Sequence, residues 1–162
     1  MGIDYIYANH TKKQYFDIGL FGESCRIRNA GFGFGSRALS LLISEQGCWN
    51  SDSIEMASNV TDKCLFISSK YTNINVEAEL LILDVDGVDN FNQESDFDFT
   101  TFSNLCLYAM ILRRPEVIDL LDRKYGRGVW QKKYKEHYRE HTSNMEYAIY
   151  EAQNRNIVLY LK

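Results

Sequence analysis

The feature that most constrains this chain is a change of hydrophobic period partway along it. Near the start, apolar side chains alternate: Ile3, Tyr5 and Tyr7, then a polar turn through Asn9-His10-Thr11-Lys12-Lys13, then Tyr15, Phe16 and Ile18. Alternation fits a hairpin, because successive side chains of a strand point to opposite faces. After Phe99 the spacing becomes helical. Phe102, Leu105, Cys106, Ala109 and Met110 mark one helix, and Pro115 opens a second that carries Val117, Ile118, Leu121 and Tyr125 and stops at Gly126. Trp130, Tyr134, His137 and His141 line a third, and Ser143 with Glu146 makes a capping box for a fourth carrying Met145, Ala148, Ile149 and Ala152.

Between these regimes, Gly31-Phe32-Gly33-Phe34-Gly35 reads as a loop, and Ser36 as the cap of a helix that presents Leu39, Leu42 and Ile43 and ends by Gly47. A strand is expected from Asp52 to Ala57, with Trp49 as a core anchor beside it. The runs Cys64-Leu65-Phe66-Ile67 and Leu80-Leu81-Ile82-Leu83 are too short for periodicity to assign, although Val76 to Leu83 leans to helix. The stretch from Asn156 to Leu161 reads as a strand returning to the hairpin. The expected class is therefore α+β in a single domain over residues 1–162. A small antiparallel sheet, the N-terminal hairpin plus the C-terminal strand, is packed by a mainly helical C-terminal half.

A chain of 162 residues that is 45% hydrophobic can bury a core without a metal or disulfide staple. Cys25, Cys48, Cys64 and Cys106 are scattered, with no Cys-x-x-Cys pair, so reduced thiols are expected rather than zinc or a disulfide scaffold. No window approaches the roughly 18 consecutive apolar residues of a membrane span, and no signal peptide opens the chain, which together read as a cytoplasmic protein with no membrane partner. Charge is distributed unevenly: residues 1–50, 51–100 and 101–162 carry nets of +1, −9 and +4 within a total of −4. An acidic middle, and basic residues interleaved with glutamates afterwards, argue against a nucleic-acid partner.

Three motifs suggest chemistry. Leu80-Leu81-Ile82-Leu83-Asp84-Val85-Asp86-Gly87 resembles the first motif of haloacid-dehalogenase-type phosphatases, an apolar strand ending in Asp-x-Asp-Gly, but no later acidic pair is present to hold the magnesium. His137-Tyr138-Arg139-Glu140-His141 has the order of inverted zinc peptidases without a third ligand well downstream. Gly31 to Gly35 lacks the Gly-Lys-Ser/Thr ending of a phosphate-binding loop. No catalytic residue, metal or cofactor is therefore assigned. A small metal-dependent hydrolase or phosphatase using Asp84 and Asp86 stands as the alternative function.

Met1-Gly2-Ile3-Asp4-Tyr5 with Thr11-Lys12-Lys13-Gln14-Tyr15-Phe16-Asp17, and the segment Trp49-Asn50-Ser51-Asp52-Ser53-Ile54, resemble small bacterial immunity-type proteins over about the first third of the chain. Such proteins neutralise contact-dependent or polymorphic antibacterial toxins. The resemblance implies a non-catalytic inhibitor whose partner is a cognate toxin domain, a nuclease in the reading that suits an acidic protein, because nuclease sites are basic. The acidic, aromatic stretch supplies the expected partner-binding residues Asp84, Asp86, Asp89, Phe91, Glu94, Asp96, Phe97 and Asp98.

Overall fold

The alternating start forms β1 (Tyr5–Asn9) and β2 (Gln14–Asp17), an antiparallel hairpin that sets Tyr7 opposite Phe16 and Asn9 opposite Gln14. Its turn is shaped by Asn9, whose side-chain oxygen accepts the Lys12 N–H at 2.9 Å, and by a left-handed Lys13 at φ 56°. In this computed structural model residues 2–91, 96–137 and 143–160 are described. Their contacts divide into two units, Met1–Ile82 with Asn156–Lys162, and Leu83–Arg155.

In the first unit β3 (Ile54–Ser58) pairs antiparallel with the free edge of β1, and β4 (Thr72–Asn73) runs parallel to β2, giving a mixed sheet in the order β3-β1-β2-β4. The α+β class is as expected, and the make-up of the sheet differs. Both edges of the hairpin are occupied by β3 and β4, so residues 156–160 of the expected C-terminal strand do not join it; Leu161 lies outside the described residues. Residues 156–160 run instead beside the turn at Gly47, through a bridge from Gly47 to Tyr160 and a hydrogen bond from Cys48 N–H to the Leu159 carbonyl at 3.1 Å, with Leu159 buried.

Both faces of the sheet are covered, which is why Ile6, Tyr7, Ala8 and Asn9 are buried in succession. On one face Ile6, Ala8 and Ala57 pack with Ile67 of α2 (Asp62–Lys70). On the other, Trp49 is fully buried against Phe16, ring centroids 5.5 Å apart, and its indole N–H donates to Gln14 Oε1 at 2.9 Å, as expected of a core anchor. Helix α1 (Phe34–Ile43) begins two residues before Ser36. Gly33 occupies the cap position, and Glu23 Oε2 accepts the Phe34 N–H at 2.7 Å in place of a serine hydroxyl. Of the two aromatics in the glycine loop only Phe34 turns inward, onto Phe21 at 4.9 Å, while Phe32 is exposed. Both unassigned apolar runs are helical, in α2 and in α3 (Asn75–Asp86). The start of α3 is tied to β2 by reciprocal bonds: Asp17 N–H to Asn75 Oδ1 at 2.8 Å, and Asn75 Nδ2 to Asp17 Oδ2 at 2.6 Å.

The second unit contains the four helices expected after Phe99: α4 (Phe99–Met110), α5 (Pro115–Tyr125), α6 (Val129–His137) and α7 (Ser143–Arg155). Phe102, Leu105, Cys106, Val117, Leu121 and Trp130 are buried in it, and the Trp130 indole donates to Asp122 Oδ1 at 2.7 Å. Burial pushes the Cys106 thiol far above its ordinary range, leaving it inert.

Candidate functional site

The acidic stretch is organised from within by its aromatic residues. Phe91 is buried and meets the half-buried Phe97 edge-on at 6.0 Å; Phe97 in turn lies 6.2 Å from the Tyr125 ring, its N–H donates to the Tyr125 hydroxyl at 3.1 Å, and Lys124 Nζ sits 4.7 Å above it. These two phenylalanines hold the segment to α5. The carboxylates divide into two groups. Asp84 accepts Arg114 Nη2 at 2.5 Å, Asp86 is half-buried at the end of α3, and Asp98 caps α4 by accepting the Thr101 N–H at 2.8 Å. Asp89 and Asp96 are exposed and project from the segment. Glu94 lies outside the described residues.

Arg114 fixes Asp84. Burial opposes its charge, but Glu116, held through Nε at 2.6 Å, and Asp84 outweigh burial and leave the guanidinium binding its proton more tightly than usual. The phosphatase motif needs its aspartates at the end of a strand, whereas Asp84 and Asp86 lie in the last turn of a helix, which stops at a left-handed Gly87 with φ 69°. His137 is exposed at the end of α6, and His141 lies outside the described residues. Among the described residues no group of three metal-ligating side chains is assembled, and no helix is long and apolar enough to cross a membrane.

A second polar cluster, which the sequence motifs did not indicate, stands at one end of the sheet. Along β1 the row Ile6, Ala8 continues to His10, and along β3 the same face carries Ala57 and then Glu55, because Ala8 is registered with Glu55 and Ile6 with Ala57. The apolar row thus ends in a histidine and a carboxylate. His10 Nε2 lies 2.6 Å from Glu55 Oε2, and His10 Nδ1 lies 2.8 Å from the hydroxyl of Tyr71, the residue after α2. Lys63 Nζ donates to Glu55 Oε1 at 2.7 Å, and Lys13 Nζ approaches the Tyr71 hydroxyl at 3.5 Å. Lys63 first and His10 second hold the Glu55 carboxyl below its ordinary range. On the opposite face Lys12 and Asn9, donating at 2.5 and 2.8 Å, do the same for Asp52.

No family model, no curated protein and no solved structure matches the chain.

Proposed function

We propose that the protein is an immunity-type inhibitor, acting without catalysis, that binds and neutralises a cognate antibacterial toxin domain, a nuclease with a basic active site. The observation that carries this reading is the way the acidic stretch is built. Phe91 and Phe97 point inward and fix it, and the Asp89 and Asp96 carboxylates point out into solvent. A negative surface whose described part is anchored by packed aromatic rings steers a basic partner and keeps the entropy cost of binding low. The net of −9 over residues 51–100 and the immunity-type N-terminal pattern support the same reading. Affinity comes from the carboxylates and neighbouring surface rather than from Phe91, whose side chain is already packed.

The test is co-expression with the toxin domain encoded beside the gene, followed by association kinetics. Protection of the cells is expected. Asp89→Asn with Asp96→Asn should slow association, and raising salt should slow the wild-type protein toward the variant, since exposed charges are screened beyond about 8 Å at physiological ionic strength. Unprotected cells would remove the inhibitor reading. Protection with an on-rate indifferent to both the substitutions and salt would remove this surface.

A further inference from the structure

Tyrosine is a weak nucleophile because its proton is held tightly at neutral pH. It becomes a useful one when a base stands within hydrogen-bond reach of the hydroxyl and a third group fixes that base. The cluster at the end of the sheet has these parts in this order. A carboxylate can only accept, so at 2.6 Å from Glu55 Oε2 the Nε2 of His10 must carry hydrogen. In the neutral imidazole the other nitrogen, Nδ1, then holds the lone pair, and the Tyr71 hydroxyl 2.8 Å away donates to it. Lys13 Nζ, 3.5 Å from the hydroxyl oxygen and 5.1 Å from the ring centroid, brings positive charge to the atom that would become anionic. Lys63, on the far oxygen of Glu55, keeps that carboxylate ionised and turned toward His10. His10 and Glu55 are about 30% exposed in their side chains, at 29% and 31%, and Tyr71 is half-buried, so the group is ordered yet reachable from solvent.

The geometry points to Tyr71 as an activated nucleophile, with His10 as its general base and Glu55 as the residue that positions the base, competent to take an acyl group from an activated ester or thioester. In the step, Tyr71 Oη forms a bond to the carbonyl carbon while its proton passes to His10 Nδ1. The imidazolium so formed is stabilised by Glu55. The tetrahedral adduct then expels the alkoxide, phenolate or thiolate, which takes the proton back from His10, leaving an acyl-tyrosine and a free alcohol, phenol or thiol. This activity is independent of the acidic surface and of the inhibitor reading.

Other tyrosines provide an internal control. Tyr147 is 64% exposed and Tyr150 is 49% exposed, so reactivity governed by access alone favours both over Tyr71. Tyr147 donates to Glu151 at 3.0 Å, and that bond, ahead of the carboxylate's charge, raises its pKa and slows it, so Tyr150 is the cleaner reference. The experiment treats the full chain with p-nitrophenyl acetate and maps hydroxylamine-sensitive acetyl groups by peptide mass spectrometry over a pH series. Tyr71 is expected to be acetylated faster than Tyr150, with the advantage already present at neutral pH, where a phenol without an adjacent base is a weak nucleophile. His10→Gln should lower the Tyr71 rate on the order of 100-fold, the usual contribution of a general base, while leaving Tyr150 unchanged. Glu55→Gln, which keeps an acceptor for Nε2–H but removes the charge, should give a smaller loss; circular dichroism checks that each variant is folded. Acetylation that follows exposure, or a Tyr71 rate that tracks phenol ionisation in the wild-type protein, would overturn the assignment even if neither variant folds.

Discussion

Asp98 belongs to the acidic stretch and also caps α4, and substitution separates these two roles. Its Oδ1 accepts the Thr101 N–H at 2.8 Å, satisfying one of the donors that the first turn of a helix leaves without a partner. Asn retains an oxygen in the same place and caps as well as Asp, whereas Ala removes the acceptor at a cost of about 1 kcal/mol. The charge itself adds about 0.3–1 kcal/mol through the helix dipole at an exposed position. Asp98→Asn should therefore lose only the charge contribution, and Asp98→Ala should lose both. Each kcal/mol corresponds to about 2–4 °C in Tm for a chain of this size, so the cap alone is worth a shift of that order between the two variants. Thermal unfolding measures the total, and hydrogen exchange at the Thr101 amide localises it, with faster exchange expected in the alanine variant. For toxin association the two variants should be equally slowed, because they lose the same charge. Equal stability of the two variants, with an unaltered Thr101 exchange rate, would refute the capping argument. Unequal on-rates would refute the claim that Asp98 acts at a distance through charge.

Three further outcomes are expected. Asp52 and Glu55 have folded-state pKa values held below the ordinary carboxylate range, so their contribution is complete above that range and is lost as pH falls through the depressed values. Lys12→Met should move acid unfolding, followed by circular dichroism, to higher pH; Asp17, pushed up by burial, works in the opposite direction and is common to both proteins. Gly35→Ala should destabilise by about 1–3 kcal/mol in urea denaturation, because a Cβ there would sit 1.9 Å from the Ile18 carbonyl oxygen, whereas Gly31→Ala, with nothing within 4 Å, should stay within about 0.5 kcal/mol. Trp49→Ala should cost about 3–5 kcal/mol, and Trp49→Phe about 1–3 kcal/mol, since the latter keeps a ring beside Phe16 but strands Gln14 Oε1.

Legibility in the sequence followed the length of each pattern. The hairpin and the four late helices were readable because alternation or helical spacing persisted over several residues, and Pro115 and Gly126 marked ends that the structure keeps. The runs at Cys64 and Leu80 were not, since four consecutive apolar residues suit a helix buried on most sides as well as a strand, and α3 buries Val76, Ala78, Leu81, Ile82 and Leu83 around its circumference. Sheet order was hidden because β4 has only two residues and joins the sheet by tertiary contact. The acidic stretch was visible as charge, but the inward turn of Phe91 and Phe97 was not, because an aromatic in an acidic run looks the same whether it anchors a partner or its own segment. The cluster of His10, Glu55 and Tyr71 spans 61 positions of sequence separation from first to last member, with no local spacing to announce it. The one available signal was that His10 continues the Ile6, Ala8 alternation rather than belonging wholly to the turn.

The docking of residues 156–160 onto the first unit makes that unit discontinuous: Leu83–Arg155 is an insertion within it. During synthesis the sheet, α1 and α2 emerge early, yet the strand of contacts at Gly47 and Cys48 must wait until the inserted helices have been translated and Leu159 has left the ribosome. Translation thus imposes an order in which the inserted helices can pack before the unit that carries them is closed. Circular permutation that links Lys162 to Met1 and opens the chain between Arg155 and Asn156 would remove this delay, and would turn a late event in biogenesis into one available as soon as the first unit is made.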